Sequence, residues 1–416
     1  MSIDPYKGVR DFYPEDQRVQ NHIFSAMRRA VEMYGYEEMN ASILEATDLY
    51  VKKSSEEIVN EQTYTFTDRG DRSVTLRPEM TPTVARMVAA KRRELGFPLR
   101  WYSIQNFFRY ERPQRGRLRE FWQLNADLFG ASETGADIEV VMLAYRVMKE
   151  LGASNTDFTI HISNREFLTS AAQKFNVEKS KLQQLVRIID KKDKMERQAF
   201  MEALSEIFDT PEDARAYVET LEAAAMNPPE ATAQFIASLR ELGIENAECN
   251  PYLARGFDYY TGMVFEVFDT NPENKRAMFG GGRYDHLIES YGGAPTPAVG
   301  FAMGDVIARD FLETHKLLPD LRPTASLYLA PVTESDTAET LKAAERLRAS
   351  GIHVAVGFSH KKLGDHVKAA LKLGIPFLAA YGATEKESEL LTIKTLGNGA
   401  EEKVTIGAAA EYLTGQ

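Results

Sequence analysis

The segment Arg109-Tyr-Glu-Arg112-Pro-Gln-Arg115-Gly-Arg117-Leu-Arg119 places five arginines within eleven residues, between two apolar, aromatic-rich stretches, WYSIQNFF and FWQLNADLF. Pro113 and Gly116 break helix and strand inside it, while the flanks have the composition of strands. That pairing constrains the fold: residues Arg100 to Phe129 form two strands of a buried sheet joined by a charged loop. A charge run is ordinarily a solvated turn. Here it is tethered to apolar strands and built from arginine, whose planar fork suits phosphate better than lysine does. With Arg109 at its base, such a hairpin has the chemistry to hold a nucleotide below and nucleic-acid phosphates above.

The whole chain carries a net charge of −11 over 416 residues, which argues against indiscriminate coating of nucleic acid. A local basic site is compatible with it, since salt confines each charge to a range of ~8 Å. The 44% hydrophobic content excludes a disordered chain. The length exceeds the ~250–300 residues that one core serves, so more than one domain is expected. Cys249 is the single cysteine and no Cys/His cluster offers a zinc site, which points to a reducing compartment and a cytoplasmic protein. His360 and His366 lack a third ligand and read as surface or tRNA-facing side chains. Neither a basic-then-apolar leader nor a run of ~18 apolar residues occurs, so no membrane partner is expected.

Hydrophobic spacing predicts a helix opening at Pro14, with Val19, Ile23, Met27, Val31 and Tyr34 on one face and Gly35 as its stop. A hairpin follows, TYTFT and SVTLR around Asp68-Arg69-Gly70-Asp71, and a second helix from about Ala136 to Leu151. From about 165 to 245 long Ala/Glu/Lys/Leu-rich stretches read as a helical insertion. Strand signals then return. After Pro323, SLYLAPV, IHVAVGF and FLAAYG alternate with helices around Thr337–Ala349 and Leu363–Leu373, a separate α/β domain.

Three further constellations carry chemistry. In Arg77-Pro78-Glu79-Met-Thr81-Pro82, two prolines restrict a carboxylate and a hydroxyl that together suit a substrate ammonium; Pro-Glu also starts many helices. In Arg255-Gly-Phe-Asp-Tyr259-Tyr260-Thr-Gly, an arginine and two tyrosines lie between glycines, although tyrosines at a strand entry often just fill the core. The glycines of Gly280-Gly-Gly-Arg283-Tyr284 and Pro297-Ala-Val-Gly300-Phe-Ala-Met-Gly304 permit close backbone approach to a ligand, or merely turns.

In this order the segments resemble the histidyl-tRNA synthetase family of class II aminoacyl-tRNA synthetases. FFRYERPQRGRLREFWQLNADLFG is similar to motif 2 of that class, RGFDYYTG and FGGGRYDHL to the histidine-specific signature, PAVGFAMG to the start of motif 3, and KGVRDFYPED to the N-terminal opening. The resemblance implies an α+β fold: a class II antiparallel sheet flanked by helices over 1–323 with the insertion at about 165–245, and an anticodon-binding α/β domain over 324–416. It implies activation of L-histidine by ATP with Mg²⁺, transfer to tRNA-His, a homodimer, and no tightly bound cofactor. Arg109 and Arg255 would be catalytic and, with Glu111 and Gln123, contact ATP. Glu79, Thr81 and Gln123 would bind the substrate amino group, Asp127 and Tyr260 the imidazole nitrogens, and Tyr259 and Tyr284 would line the pocket. Arg115, Arg117 and Arg119 would meet the tRNA acceptor end.

Three positions depart from the pattern. Asn40-Ala41-Ser42 lacks the proline usual in motif 1, which builds the dimer interface, and Asp127 stands where glutamate is common. Motif 3 ordinarily continues Gly-x-Glu-Arg, but the chain reads Gly304-Asp305-Val306-Ile307, without the arginine that usually contacts ATP. On a helix Arg309 would point about 200° away from position 307. The missing arginine keeps open an alternative, a non-charging histidine-binding regulatory subunit of ATP phosphoribosyltransferase. The complete arginine loop and the anticodon-type tail weigh against it, and a plain RNA-binding protein would leave the histidine pocket unexplained.

Overall fold

A computed structural model describes residues 3–51, 62–192, 195–255, 259–274, 276–358 and 362–414. Residues 256–258 within RGFDYYTG, and His360, lie outside these. The chain divides into two compact units. One runs from Val19 to Leu318 and includes the N-terminal residues up to Phe12; the other comprises Pro319 onward with Tyr13–Arg18.

The strands, in chain order, are β1 (Glu37–Glu38), β2 (Leu44–Ala46), β3 (Tyr64–Thr67), β4 (Ser73–Leu76), β5 (Leu99–Phe108), β6 (Glu120–Phe129), β7 (Phe158–Asn164), β8 (Ala247–Cys249), β9 (Met263–Asp269), β10 (Ala277–Arg283) and β11 (Ala298–Gly304) in the first unit. Eight of them form one sheet in the order β1-β5-β6-β11-β10-β9-β7-β8, and β2-β4-β3 form a small second sheet. All pairs from β5 to β7 across the large sheet are antiparallel, as the α+β expectation requires.

Strand periodicity divides the sheet into two chemically different faces. In β6, Leu124, Ala126 and Leu128 point to a core shared with helices Pro14–Glu32, Thr134–Glu150, Glu230–Glu241 and Asp305–Thr314. The alternate residues Gln123, Asn125 and Asp127 face a cavity. Each buried Leu, Ile or Phe side chain on the core face contributes ~1.5–3 kcal/mol, which anchors the polar face opposite.

The insertion differs from its expected extent. Helices Arg165–Gln173, Leu182–Asp190, Arg197–Ser205 and Pro211–Met226 share a core of their own around Leu185, Phe208, Tyr217 and Leu221. Helix Glu230–Glu241 returns to the sheet, because Phe235, Ile236 and Leu239 are buried in the main core instead.

The second unit contains β12 (Leu327–Pro331), β13 (Val354–Val356), β14 (Phe377–Tyr381), β15 (Leu390–Thr395) and β16 (Glu401–Thr405), ordered β13-β12-β14-β15-β16. The first three are parallel with helical crossovers, and the last two extend the sheet antiparallel. His366 is not a surface side chain: it is buried, with its Nδ1 3.3 Å from the Tyr328 hydroxyl.

Candidate active site

A cavity of about 950 Å³ opens on the polar face of the large sheet. Its floor is β6 and β11. Gln123, Asn125 and Asp127 pair with Gly304, Ala302 and Gly300, so each polar side chain of β6 stands beside a residue with little or no side chain. That stripe of small residues makes the space.

At Gly300 a Cβ would collide with the Asp127 carboxylate, and at Gly280 it would collide with the Arg255 guanidinium. These two glycines therefore make room for side chains of the protein itself, and both also line the cavity. Asp127 is fully enclosed there. Burial pushes its carboxyl up to about 7, although the hydrogen bond donated by the Tyr284 hydroxyl acts in the opposite direction. Tyr259, Tyr260 and Tyr284 form a cluster, with ring centroids 4.9 Å apart for the first pair and 5.6 Å for Tyr259 and Tyr284. Burial raises all three phenols, so they remain protonated donors near neutral pH.

Arg255 adopts a left-handed backbone (φ 54°), a conformation that costs a non-glycine residue energy and concentrates at functional sites. Its guanidinium pairs with Glu266 at 3.2 Å and lies over the Tyr260 ring, and its buried Nε has no partner among the described residues. Glu79 is buried just before helix Thr81–Lys91, and the Thr81 hydroxyl hydrogen-bonds Tyr259. Arg109 donates from Nε to the Pro78 carbonyl at 2.9 Å, which joins the base of the arginine hairpin to the Glu79 segment.

Glu79, Thr81, Arg109, Glu111, Arg115, Arg117, Gln123, Asp127, Arg255, Tyr259, Tyr260 and Tyr284 thus line one cavity. Arg119 does not join them. It is buried, stacked on Tyr110 at 4.1 Å, and donates to the Tyr6 hydroxyl and the Glu111 carbonyl. An arginine fixed in this way holds the loop against the N-terminal segment and is not exposed to meet an acceptor end.

Sequence reasoning missed Asn125, whose buried Nδ2 has no partner among the described residues, although its spacing of two from both Gln123 and Asp127 was a usable signal. It also missed Glu266 and Arg276 in the cavity wall, and the buried pair of Arg283 with Asp137 at 2.8 Å that ties β10 to helix Thr134–Glu150. These depend on tertiary neighbours. Among the described residues no group of three His, Cys, Asp or Glu side chains could hold a metal ion.

A sequence model of histidyl-tRNA synthetase matches residues 8–305, most of the chain. The chain belongs to the histidyl-tRNA synthetase family. A model of the anticodon binding domain matches residues 326–416. The chain is 38% identical over 411 residues to a histidine–tRNA ligase of Leptospira biflexa serovar Patoc, covering 96% of this chain and 94% of that protein. It is 37% identical over 420 residues to a histidine–tRNA ligase of Halobacterium salinarum, covering 97% and 96%. The fold matches the crystal structure of histidyl-tRNA synthetase from Nostoc sp. PCC 7120 with a TM-score of 0.83 at 23% identity, over 100% of this chain and 99% of that one. Within this histidyl-tRNA synthetase architecture, β5, the arginine loop and β6 form the motif 2 hairpin. Ile307, in the first turn of helix Asp305–Thr314, lines the cavity in motif 3, while Arg309 turns away to pair with Glu313 at 2.7 Å.

Proposed function

We propose that this cavity activates L-histidine with ATP and passes the histidyl group to the 3′ end of tRNA-His. The ligase assignment follows from family membership. The observation that carries the site reading is the convergence of two arginines, Arg109 and Arg255, with the enclosed Asp127–Tyr284 pair on one cavity wall.

Histidine's carboxylate attacks the α-phosphorus of ATP, and pyrophosphate leaves. Negative charge gathers on the phosphoryl oxygens, where Arg109 and Arg255 stabilise it; Glu111 and Gln123 complete the ATP contacts. Glu79, Thr81 and Gln123 accept from the substrate ammonium. Asp127 accepts from one imidazole nitrogen and the Tyr260 hydroxyl serves the other, between the walls made by Tyr259 and Tyr284. An analogue without ring nitrogens leaves these buried groups unpaired, a selectivity of up to ~10⁴–10⁵. In the second step the tRNA terminal hydroxyl attacks the adenylate carbonyl and AMP leaves. Arg115 and Arg117, half exposed on the loop, fit the acceptor phosphates. Mg²⁺ enters with the phosphates of ATP. The working form is a cytoplasmic homodimer.

Histidine-dependent ATP–pyrophosphate exchange, followed by charging of tRNA-His, tests the reading. Firm histidine binding without any exchange would sink it in favour of a histidine sensor.

A further inference from the structure

Val306 and Ile307 close one end of the cavity with apolar surface. A nucleoside triphosphate carries charge well beyond its α-phosphate, and desolvated phosphate oxygens require cationic donors along their length. Five arginines line the cavity, and four are engaged. Arg109 donates to the Pro78 carbonyl, Arg115 pairs with Asp310, Arg117 with Glu111 and Arg255 with Glu266. Arg276 is exposed and has no hydrogen-bond or ion-pair partner among the described residues.

Its position follows from the strand that it introduces. Ala277 pairs with Phe268 and Phe279 with Val267, so β10 carries one extra residue at Met278. Such a bulge breaks the two-residue alternation and re-aims side chains. Ala277, Met278 and Phe279 accordingly all line the cavity in succession after Arg276. The same β9–β10 connection brings Glu273 close enough to act electrostatically on Arg115. Arg115 in turn precedes Gly116, where a Cβ would stand 3.3 Å from the Ile307 Cδ1. The hairpin tip and the apolar end of the cavity are therefore bridged by a single loop.

We infer that Arg276 meets the terminal phosphates of ATP, supplying from the β9–β10 hairpin the cation that position 307 lacks. The inference rests on the ATP-activating reading of the cavity. The test measures KM for ATP and for histidine separately, by pyrophosphate exchange on the full-length protein. Arg276→Ala should raise KM for ATP about tenfold, equivalent to ~1.4 kcal/mol, with KM for histidine and the thermal midpoint unchanged. Arg276→Lys should recover part of the loss, and adding Ile307→Arg to the alanine variant should recover more. An unchanged KM for ATP in Arg276→Ala overturns the inference. So does a larger rise in Arg115→Ala, which would give the role to the neighbouring loop. Absence of exchange in the parent protein would instead count against the activating reading itself.

Discussion

Asp305 accepts the main-chain N–H of Trp122 at 2.8 Å, tying the first turn of helix Asp305–Thr314 to the residue that precedes Gln123 in the cavity floor. The same carboxylate is 1% exposed and accepts from Arg10 at 2.7 Å and Gln20 at 3.0 Å. Removing it strands the buried Gln20 amide and two part-buried donors, one of them the charged Arg10. Asp305→Ala should destabilise the protein by about 3–5 kcal/mol, read from its denaturant midpoint. Asp305→Asn keeps an acceptor for Trp122 and should lose less. An alanine variant with the parent's midpoint would contradict this account of the helix start.

Gly300 offers a sharper probe of the floor. A Cβ there would also lie 2.7 Å from the Ala126 carbonyl, which cannot retreat within a paired strand, and 2.9 Å from the Asp127 Cγ, which must move. Gly300→Ala should displace the Asp127 carboxylate and lower kcat/KM for histidine roughly 10²-fold, as misplacement by about an ångström does. Near-parental kcat/KM in this variant would show that the carboxylate has room elsewhere.

These two positions also show what was legible in the sequence. The motif 2 hairpin could be read because its signal is local: apolar strands around an arginine run broken by a proline and a glycine. The cavity-facing set Glu79, Gln123, Asp127, Arg255 and Tyr284 was collected by family resemblance, not by spacing. The burial of Arg119 was invisible, since an arginine run does not say which member finds an aromatic ring. That Gly280 and Gly300 also make room for Arg255 and Asp127 was not legible, because those neighbours come from distant segments. In the insertion, helix Glu230–Glu241 has the same periodicity as its predecessors, and only the partner of its apolar face distinguishes it. The last strand, β16, lies in a polar, charged stretch whose pattern carried little signal.

Asp127 has a pH signature. Its carboxyl titrates at about 7 in the folded protein against 3.8 ordinarily, so folding favours the protonated form. That contribution is complete below the unfolded value and is lost as pH rises through the folded one. Asn at this position mimics the protonated state at every pH. The thermal midpoint of Asp127→Asn, relative to the parent, should therefore climb between about pH 4 and pH 7 and level off above. A difference of 1 kcal/mol corresponds to roughly 2–4 °C in a domain of 150–250 residues, so a rise of a few degrees is readable. A difference that stays constant with pH would mean that Asp127 is not shifted by its enclosure.

Arg255 and Arg117 should separate the two chemical steps. Arg255 is enclosed between Glu266 and Tyr260 beneath Gly280, so its charge acts in a low-dielectric setting where one preorganised donor is worth ~10²–10³ in rate. Arg255→Ala should reduce pyrophosphate exchange by at least that factor, and Arg255→Lys should not restore it, because an ammonium cannot present the same fork to Glu266 and a phosphate. Arg117 has a side chain 51% exposed and sits 3.5 Å from Glu111, an ion pair of the kind that contributes under ~1 kcal/mol. Arg117→Ala should leave the fold and the exchange reaction near the parent's level while weakening charging of tRNA-His, with the loss appearing in KM for tRNA and growing less with added salt. Equal losses in exchange and charging would move Arg117 from the acceptor end to the nucleotide.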